Sequence, residues 1–312
     1  MNTKPSVGKT LWGCILPLII FIGVDTVISA VAMMAFSFWE GFKAGPSMMD
    51  SENFMEIYNE ILTNSMNFFM KYAMFFTALR CAIIIPIYFV MMSKEKKKDM
   101  LTGNFVKYEK FNKLWLLIII PIGIFSCIGF NNVVMMIAEL AQDFIDYIID
   151  LLNLDFNYDI FGAFNETSEM IYSGGLVMQI ISTCIGAPLA EELLFRGLIY
   201  RRLRKIMTIT PAMLISSLIF GIIHGNIIQA IYAFLIGMIC AYIYEKFKNI
   251  WAPIILHATA NTFAVISTYF AGVTEGVGLN LGAYMLYTVL MIAGTFGLLF
   301  LLEKKFDRKE AL

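Results

Sequence analysis

Charge is scarce in this sequence. Asp, Glu, Lys and Arg make up 15% of its 312 residues, while 59% are hydrophobic; soluble domains run near a quarter charged and about half apolar. So few charges cannot cover a water-facing surface. The mean hydropathy of +0.74 points to a multi-pass protein of the cell membrane, with the lipid bilayer as its surroundings. A net charge of −1 and a pI near 6.2 give no sign of a nucleic-acid partner, and none is expected. The charges are segregated along the chain, so their placement matters more than their sum.

Other absences narrow the field. Cys14, Cys81, Cys127, Cys184 and Cys240 are scattered one per apolar segment, odd in number and without C-x-x-C spacing, which excludes a disulfide framework and a thiolate metal site. There is no low-complexity tail, and no clear internal repeat of the kind that builds many carriers. No serine lies in a G-x-S-x-G setting. Histidine occurs twice, at His224 and His257, with no H-E-x-x-H spacing.

Long apolar runs are what the chain does have. A bilayer core takes roughly 20 apolar residues per helix, and windows of that order lie near 11–37, 67–92, 114–141, 171–199, 208–224, 227–245, 250–271 and 280–302. The reading is an all-α polytopic membrane helix bundle of about eight transmembrane helices. Lys4, Lys9 and Ala30-Val31-Ala32 imitate a cleavable leader, but the first run is long and holds Asp25, which marks it as a span. Basic clusters orient the bundle: Lys4 and Lys9; Lys94, Lys96, Lys97, Lys98, Lys107, Lys110 and Lys113; Arg201, Arg202, Arg204 and Lys205; Lys246 and Lys248; Lys304, Lys305, Arg308 and Lys309. With eight spans all of them fall on one side, and both termini are cytoplasmic. Segment 40–66 sets Glu40, Asp50, Glu52, Glu56 and Glu60 against Lys43 alone, and 142–170 carries acids and no Lys or Arg. Asp146 and Asp150 among Ile145, Ile148, Ile149 and Leu152 predict an amphipathic helix along the outer surface.

Ionisable residues inside spans are functional candidates, though pairing for structure is common. Asp25 and Arg80 lie 14 and 12 residues from the cytoplasmic ends of their spans, about 20 Å deep, and are expected to form a structural pair. In Ala187-Pro188-Leu189-Ala190-Glu191-Glu192-Leu193-Leu194-Phe195-Arg196-Gly197, Glu192 and Arg196 are four apart with the acid first, the favourable order for an ion pair. Glu191 points about 100° away and stays uncommitted. Phe220 and His224 form F-x-x-x-H, and His257 and Asn261 form H-x-x-x-N, each stacking two side chains one turn apart. Pro188 is expected to break its span just before the motif.

Two mechanisms fit this set. In one, Glu191 and His224 activate a water that attacks a peptide carbonyl, while His257 and Asn261 donate to the developing oxyanion; no cofactor is needed. In the other, both histidines and a glutamate hold Zn²⁺. By residue count along their spans, Glu191 and His257 lie about 15 and 10 Å from the cytoplasmic face and His224 nearer 22 Å. A basic hairpin, with Arg201 to Lys205 projecting into the cytosol and Asn226 lining a wet cavity, would bring the three together.

The three motifs in series, E-E-x-x-x-R, F-x-x-x-H and H-x-x-x-N, resemble those of the CPBP family, the CAAX proteases and bacteriocin-processing enzymes also labelled Abi, whose best-understood members look like the type II CAAX prenyl endopeptidase. The resemblance covers about residues 170–275. It implies an intramembrane endopeptidase of the glutamate type, with Glu191 as the water-activating base, His224 its partner, His257 and Asn261 binding the oxyanion, Glu192 and Arg196 shaping the motif helix, and Phe220 packing beside the site. Its partner would be a membrane-associated peptide or protein substrate. The expected division is 1–165 as N-terminal membrane helices and 166–312 as the CPBP-like catalytic core. A non-catalytic bacteriocin self-immunity protein, with the polar cluster as interhelical glue, is the alternative; a small-molecule or ion carrier ranks third.

Overall fold

The computed structural model describes residues 6–45, 54–101, 109–271 and 281–310. Lys4, Asp50, Glu52 and Lys107 lie outside the described residues. The elements are helices in chain order: α1 (Val7–Ala44), α2 (Phe54–Lys71), α3 (Ala73–Leu101), α4 (Leu116–Leu151), α5 (Gly162–Ser173), α6 (Gly175–Leu203), α7 (Ile209–Ile222), α8 (Ile227–Phe247), α9 (Trp251–Ala271) and α10 (Leu281–Glu310). The chain is an all-α polytopic membrane protein. Each of the eight expected windows centres on one of these helices, though 67–92 takes in the end of α2 as well as α3, and 171–199 the end of α5 as well as α6. Six of them, α1, α3, α4, α6, α8 and α10, are long and apolar enough to cross a membrane. α7, at 14 residues, is only about 21 Å long. α9 has the length, 21 residues, but not the hydropathy, because His257, Thr259, Asn261 and Thr262 sit along it.

Three expectations need correction. α4 runs unbroken to Leu151, so Asp146 and Asp150 ride on the continuation of a span and not on a separate surface helix; neither Pro nor Gly occurs between Phe130 and Leu151 to stop it. The turn beyond it is tied back by Gln142, whose amide nitrogen donates to Asp146 Oδ1 and Tyr158 O at 2.8 Å and whose oxygen accepts from Ile160 N at 2.9 Å. The acidic segment 40–66 holds the start of a further helix, α2, whose Met55, Tyr58, Ile61, Leu62 and Ser65 recur at helical spacing. It folds back on α1 through Phe36 and Phe68, stacked at 4.1 Å, and the hydroxyls of Ser37 and Ser65 at 2.7 Å. Arg201 and Arg202 do not stand free as a hairpin either: both are buried, and Arg202 pairs with Glu95 of α3 and donates to Gly13 O of α1.

These contacts gather the basic segments at one end of the bundle. Arg204 and Lys248 reach Glu245 at 3.4 and 2.5 Å, and Lys246 reaches Glu303 of α10 at 2.6 Å. Behind this end, Ile84, Tyr88, Leu194, Phe195, Leu198 and Tyr200 form a layer with no solvent exposure. α4 packs against α8, α9 and α10, so a helix from the N-terminal half walls the C-terminal one. Many large side chains face outward, Leu117 of α4 and Phe38 of α1 among them, as a lipid-facing surface requires. Asp25 and Arg80 meet at 2.8 Å, with the guanidinium 4.8 Å from the Phe21 ring.

α7 and α8 approach each other closely at Gly221. A Cβ there would fall 2.5 Å from Ala230 O, a backbone atom that cannot swing aside. Gly221→Ala is therefore expected to destabilise the protein by about 1–3 kcal/mol, read as a lowered unfolding temperature in detergent. An unchanged melting profile would mean the helices separate without cost.

Candidate active site

α6 carries the acidic pair and is not an ordinary helix. Ile180–Gly186 and Leu193–Tyr200 are wound as π-helix on either side of the α-helical Ala187–Glu192. Such i→i+5 stretches are rare and concentrate at functional sites. Pro188, which lacks an N–H, does not break the helix as expected; the winding changes around it and the chain runs on.

Glu192 is fully buried, and so is Arg196. Arg196 Nη1 donates to Glu192 Oε1 at 2.8 Å, Nη2 donates to Gly237 O of α8 at 2.6 Å, and the guanidinium lies 5.0 Å from the Phe220 ring. Gly237 permits this approach, since a Cβ there would stand 3.1 Å from Nη2 and 3.0 Å from Phe220. Glu192 has a second partner that helical spacing does not reveal: His257 Nδ1 lies 3.0 Å from the same oxygen, Oε1. A carboxylate only accepts, so Nδ1 carries the proton. That leaves Nε2 directed at Glu191, 3.8 Å from its Oε2.

His224 is fixed in the same manner. Its Nδ1 is 2.7 Å from Phe220 O; a carbonyl accepts, so Nδ1 donates and Nε2 is left for other partners. The Phe220 ring stands between the two imidazoles, edge-on to His224 at 4.9 Å and to His257 at 5.6 Å. Asn261 Nδ2 donates to Thr183 O at 2.9 Å, which uses one of its two amide hydrogens and keeps the other free to act. Asn226, expected to line the site, instead caps α8 by accepting from Gln229 N at 2.8 Å.

Glu191, Phe220, His224, His257 and Asn261 line one cavity of about 910 Å³, together with Arg80. Glu191 and His257 are 9% and 5% exposed. All three motifs reach this cavity without a projecting hairpin, since Arg201 and Arg202 are buried. Arg80, expected only as half of a structural pair, is also cavity wall. Glu192, Arg196 and Gly237 lie behind the wall and hold it. Among the described residues no group of three or more His, Cys, Asp or Glu could hold a metal ion; in the Glu191–His257–Glu192 chain, Nδ1 is already committed.

Removing one member of the buried pair strands the other charge, a loss of about 3–5 kcal/mol, whereas removing both together is often nearly neutral. Glu192→Gln and Arg196→Met are each expected to lower the detergent unfolding temperature markedly, and the double variant to recover part of the loss. Additive losses in the double variant would show that the two do not act as a pair.

A relative from Bacillus subtilis (strain 168), described as "Putative membrane peptidase YdiL", is 39% identical over 114 residues, 35% of this chain. The alignment takes in 46% of that relative, so the chain spans about half the length of the curated protein it matches. No solved structure matches. Residues 173–263, the stretch that holds every motif residue from Glu191 to Asn261, match the family described as type II CAAX prenyl endopeptidase Rce1-like, in agreement with the resemblance carried by the motifs.

Proposed function

We propose that the protein is an intramembrane endopeptidase of the glutamate type, which hydrolyses a peptide bond in a membrane-associated peptide or protein with activated water and no cofactor. One observation carries the reading: of two adjacent buried glutamates, Glu192 is consumed by Arg196 and His257, while Glu191 faces a cavity that it shares with both histidines and Asn261. A purely structural cluster has no use for the second carboxylate. The match of residues 173–263 to the endopeptidase family and the peptidase relative point the same way.

Each group then has a task. Glu191 takes a proton from a water held with His224 Nε2, and the water oxygen adds to the peptide carbonyl carbon. The carbonyl oxygen becomes an oxyanion, met by the remaining Asn261 N–H and by Nε2–H of His257 in its protonated form. Glu191 returns the proton to the leaving nitrogen, the C–N bond breaks, and an amine and a carboxylic acid leave, the acid's proton passing on to the amine. Glu192 keeps the His257 ring oriented through Nδ1, as outer carboxylates do for working imidazoles. Phe220 limits how far either ring can turn.

Glu191→Gln keeps the shape and removes the base. Hydrolysis of a membrane peptide by the purified protein is expected to fall about a hundredfold or more, with abundance and unfolding temperature unchanged; retained turnover would take the base role from Glu191, and absence of hydrolysis by the wild-type protein would end the enzyme reading in favour of a non-catalytic immunity protein. Hydrolysis by the wild-type protein is expected to persist in strong chelator. Complete loss that added zinc restores would favour the metal mechanism.

A further inference from the structure

The cavity is closed on one side and continues on the other. Toward the basic end, on the order of 15 Å of helix separates Glu191 from Arg202, and the layer between is packed shut: Leu194, Phe195 and Leu198 have no exposure. Toward the opposite end the lining climbs about 16 Å along α9, from His257 to Thr268, and burial falls with it, His257 being buried and Thr268 exposed. The other helices agree. Gln229 lines the cavity from the first turn of α8, the end remote from Lys246 and Lys248, and Asn165 and Ser168 line it from α5. The catalytic candidates therefore lie at the floor of a shaft whose mouth is at the end of the bundle that lacks the basic clusters.

We propose, on the basis of the endopeptidase reading above, that substrate enters from the non-cytoplasmic face, and that the substrate class is an extended, largely uncharged segment of an exported or outer-leaflet-anchored polypeptide. Orientation follows from the lysines and arginines, which keep their end in the cytoplasm. The chemistry of the segment follows from the lining. Of the Asp, Glu, Lys and Arg residues only Arg80 and Glu191 line the described cavity, and Arg80 is already paired with Asp25. Asn131 and Asn165 offer amides, each with donors and an acceptor, and Asn132 and Gln229, bonded on one side to Thr288 and Asn226, add an amide oxygen and an amide nitrogen, which suits the N–H and C=O groups of an extended backbone. Methionines and aromatic rings, Met74, Met135 and Tyr232 among them, accept apolar side chains of varied shape. At the mouth, Tyr172 donates to Thr268 Oγ1 at 2.9 Å, a link between α5 and α9 that an entering chain would displace.

The test reads access separately from chemistry. The described native cysteines are all buried, so Thr268→Cys, Gln229→Cys and Lys304→Cys can be made singly in the full chain and treated, in cells, with a membrane-impermeant maleimide. Thr268→Cys and Gln229→Cys are expected to label in intact cells, and Lys304→Cys only after permeabilisation. Prior labelling of Thr268→Cys is then expected to abolish hydrolysis of an added membrane peptide. Labelling of the two mouth positions only after permeabilisation, or at neither stage, overturns the proposal. Failure of the endopeptidase reading has a different signature: the labelling pattern holds while the wild-type protein hydrolyses no membrane peptide.

Discussion

A single desolvated oxygen organises this protein. Glu192 Oε1 accepts from Arg196 on its own helix and from His257 on another, with the carboxylate and the guanidinium wholly out of solvent. Burying a charge is costly unless it is paired and hydrogen-bonded, and here the pairing spreads across three helices: α6 supplies both ions, α9 the imidazole, and α8 the Gly237 carbonyl that takes the other arm of the arginine. The same oxygen that Arg196 neutralises also sets the tautomer of His257. Structural necessity and chemical readiness thus meet in one contact, and the adjacent carboxylate is left over.

Much of the fold is written in hydropathy. Each expected window finds its helix, because a bilayer span needs a length of apolar sequence that little else in a protein imitates. The Asp25–Arg80 pair is legible as two opposite charges at matched depth, and Glu192–Arg196 as an i, i+4 couple. The hidden contacts are those with no spacing rule. Glu192 and His257 are 65 residues apart, and Asn261 and Thr183 are 78 apart; nothing in the intervening chain encodes either distance. α2 has a signal, an apolar stripe at helical spacing, that the surrounding acids obscure. The continuation of α4 is obscured in the same way: its acids suggest a chain leaving the membrane, whereas a helix without a breaker simply continues past the point where its environment changes.

The winding of α6 is the least legible feature and is closely tied to the site. Two π-helical stretches bracket the residues that carry Glu191 and Glu192. Each stretch shifts the angular position of the residues beyond it, so the side chains facing α8 and α9 are not those that a uniform helix would present. Pro188 and the glycines at 186 and 197 mark the region, but Pro and Gly more often signal a kink or an end. Glu191 keeps the angle to Glu192 that a uniform helix gives, because the α-helical Ala187–Glu192 contains both acids.

The polarity of α9 has a consequence for how the protein is made. A segment carrying His257, Asn261 and several hydroxyls partitions poorly into lipid when it arrives alone, and the 14-residue α7 is too short to hold a full span by itself. Both flank the apolar α8, against which they pack. Insertion of the three must then be concerted, with the central helix carrying its weaker neighbours into the bilayer, so biogenesis has to pass through a partly assembled core in which the future cavity is already shielded from hydrocarbon.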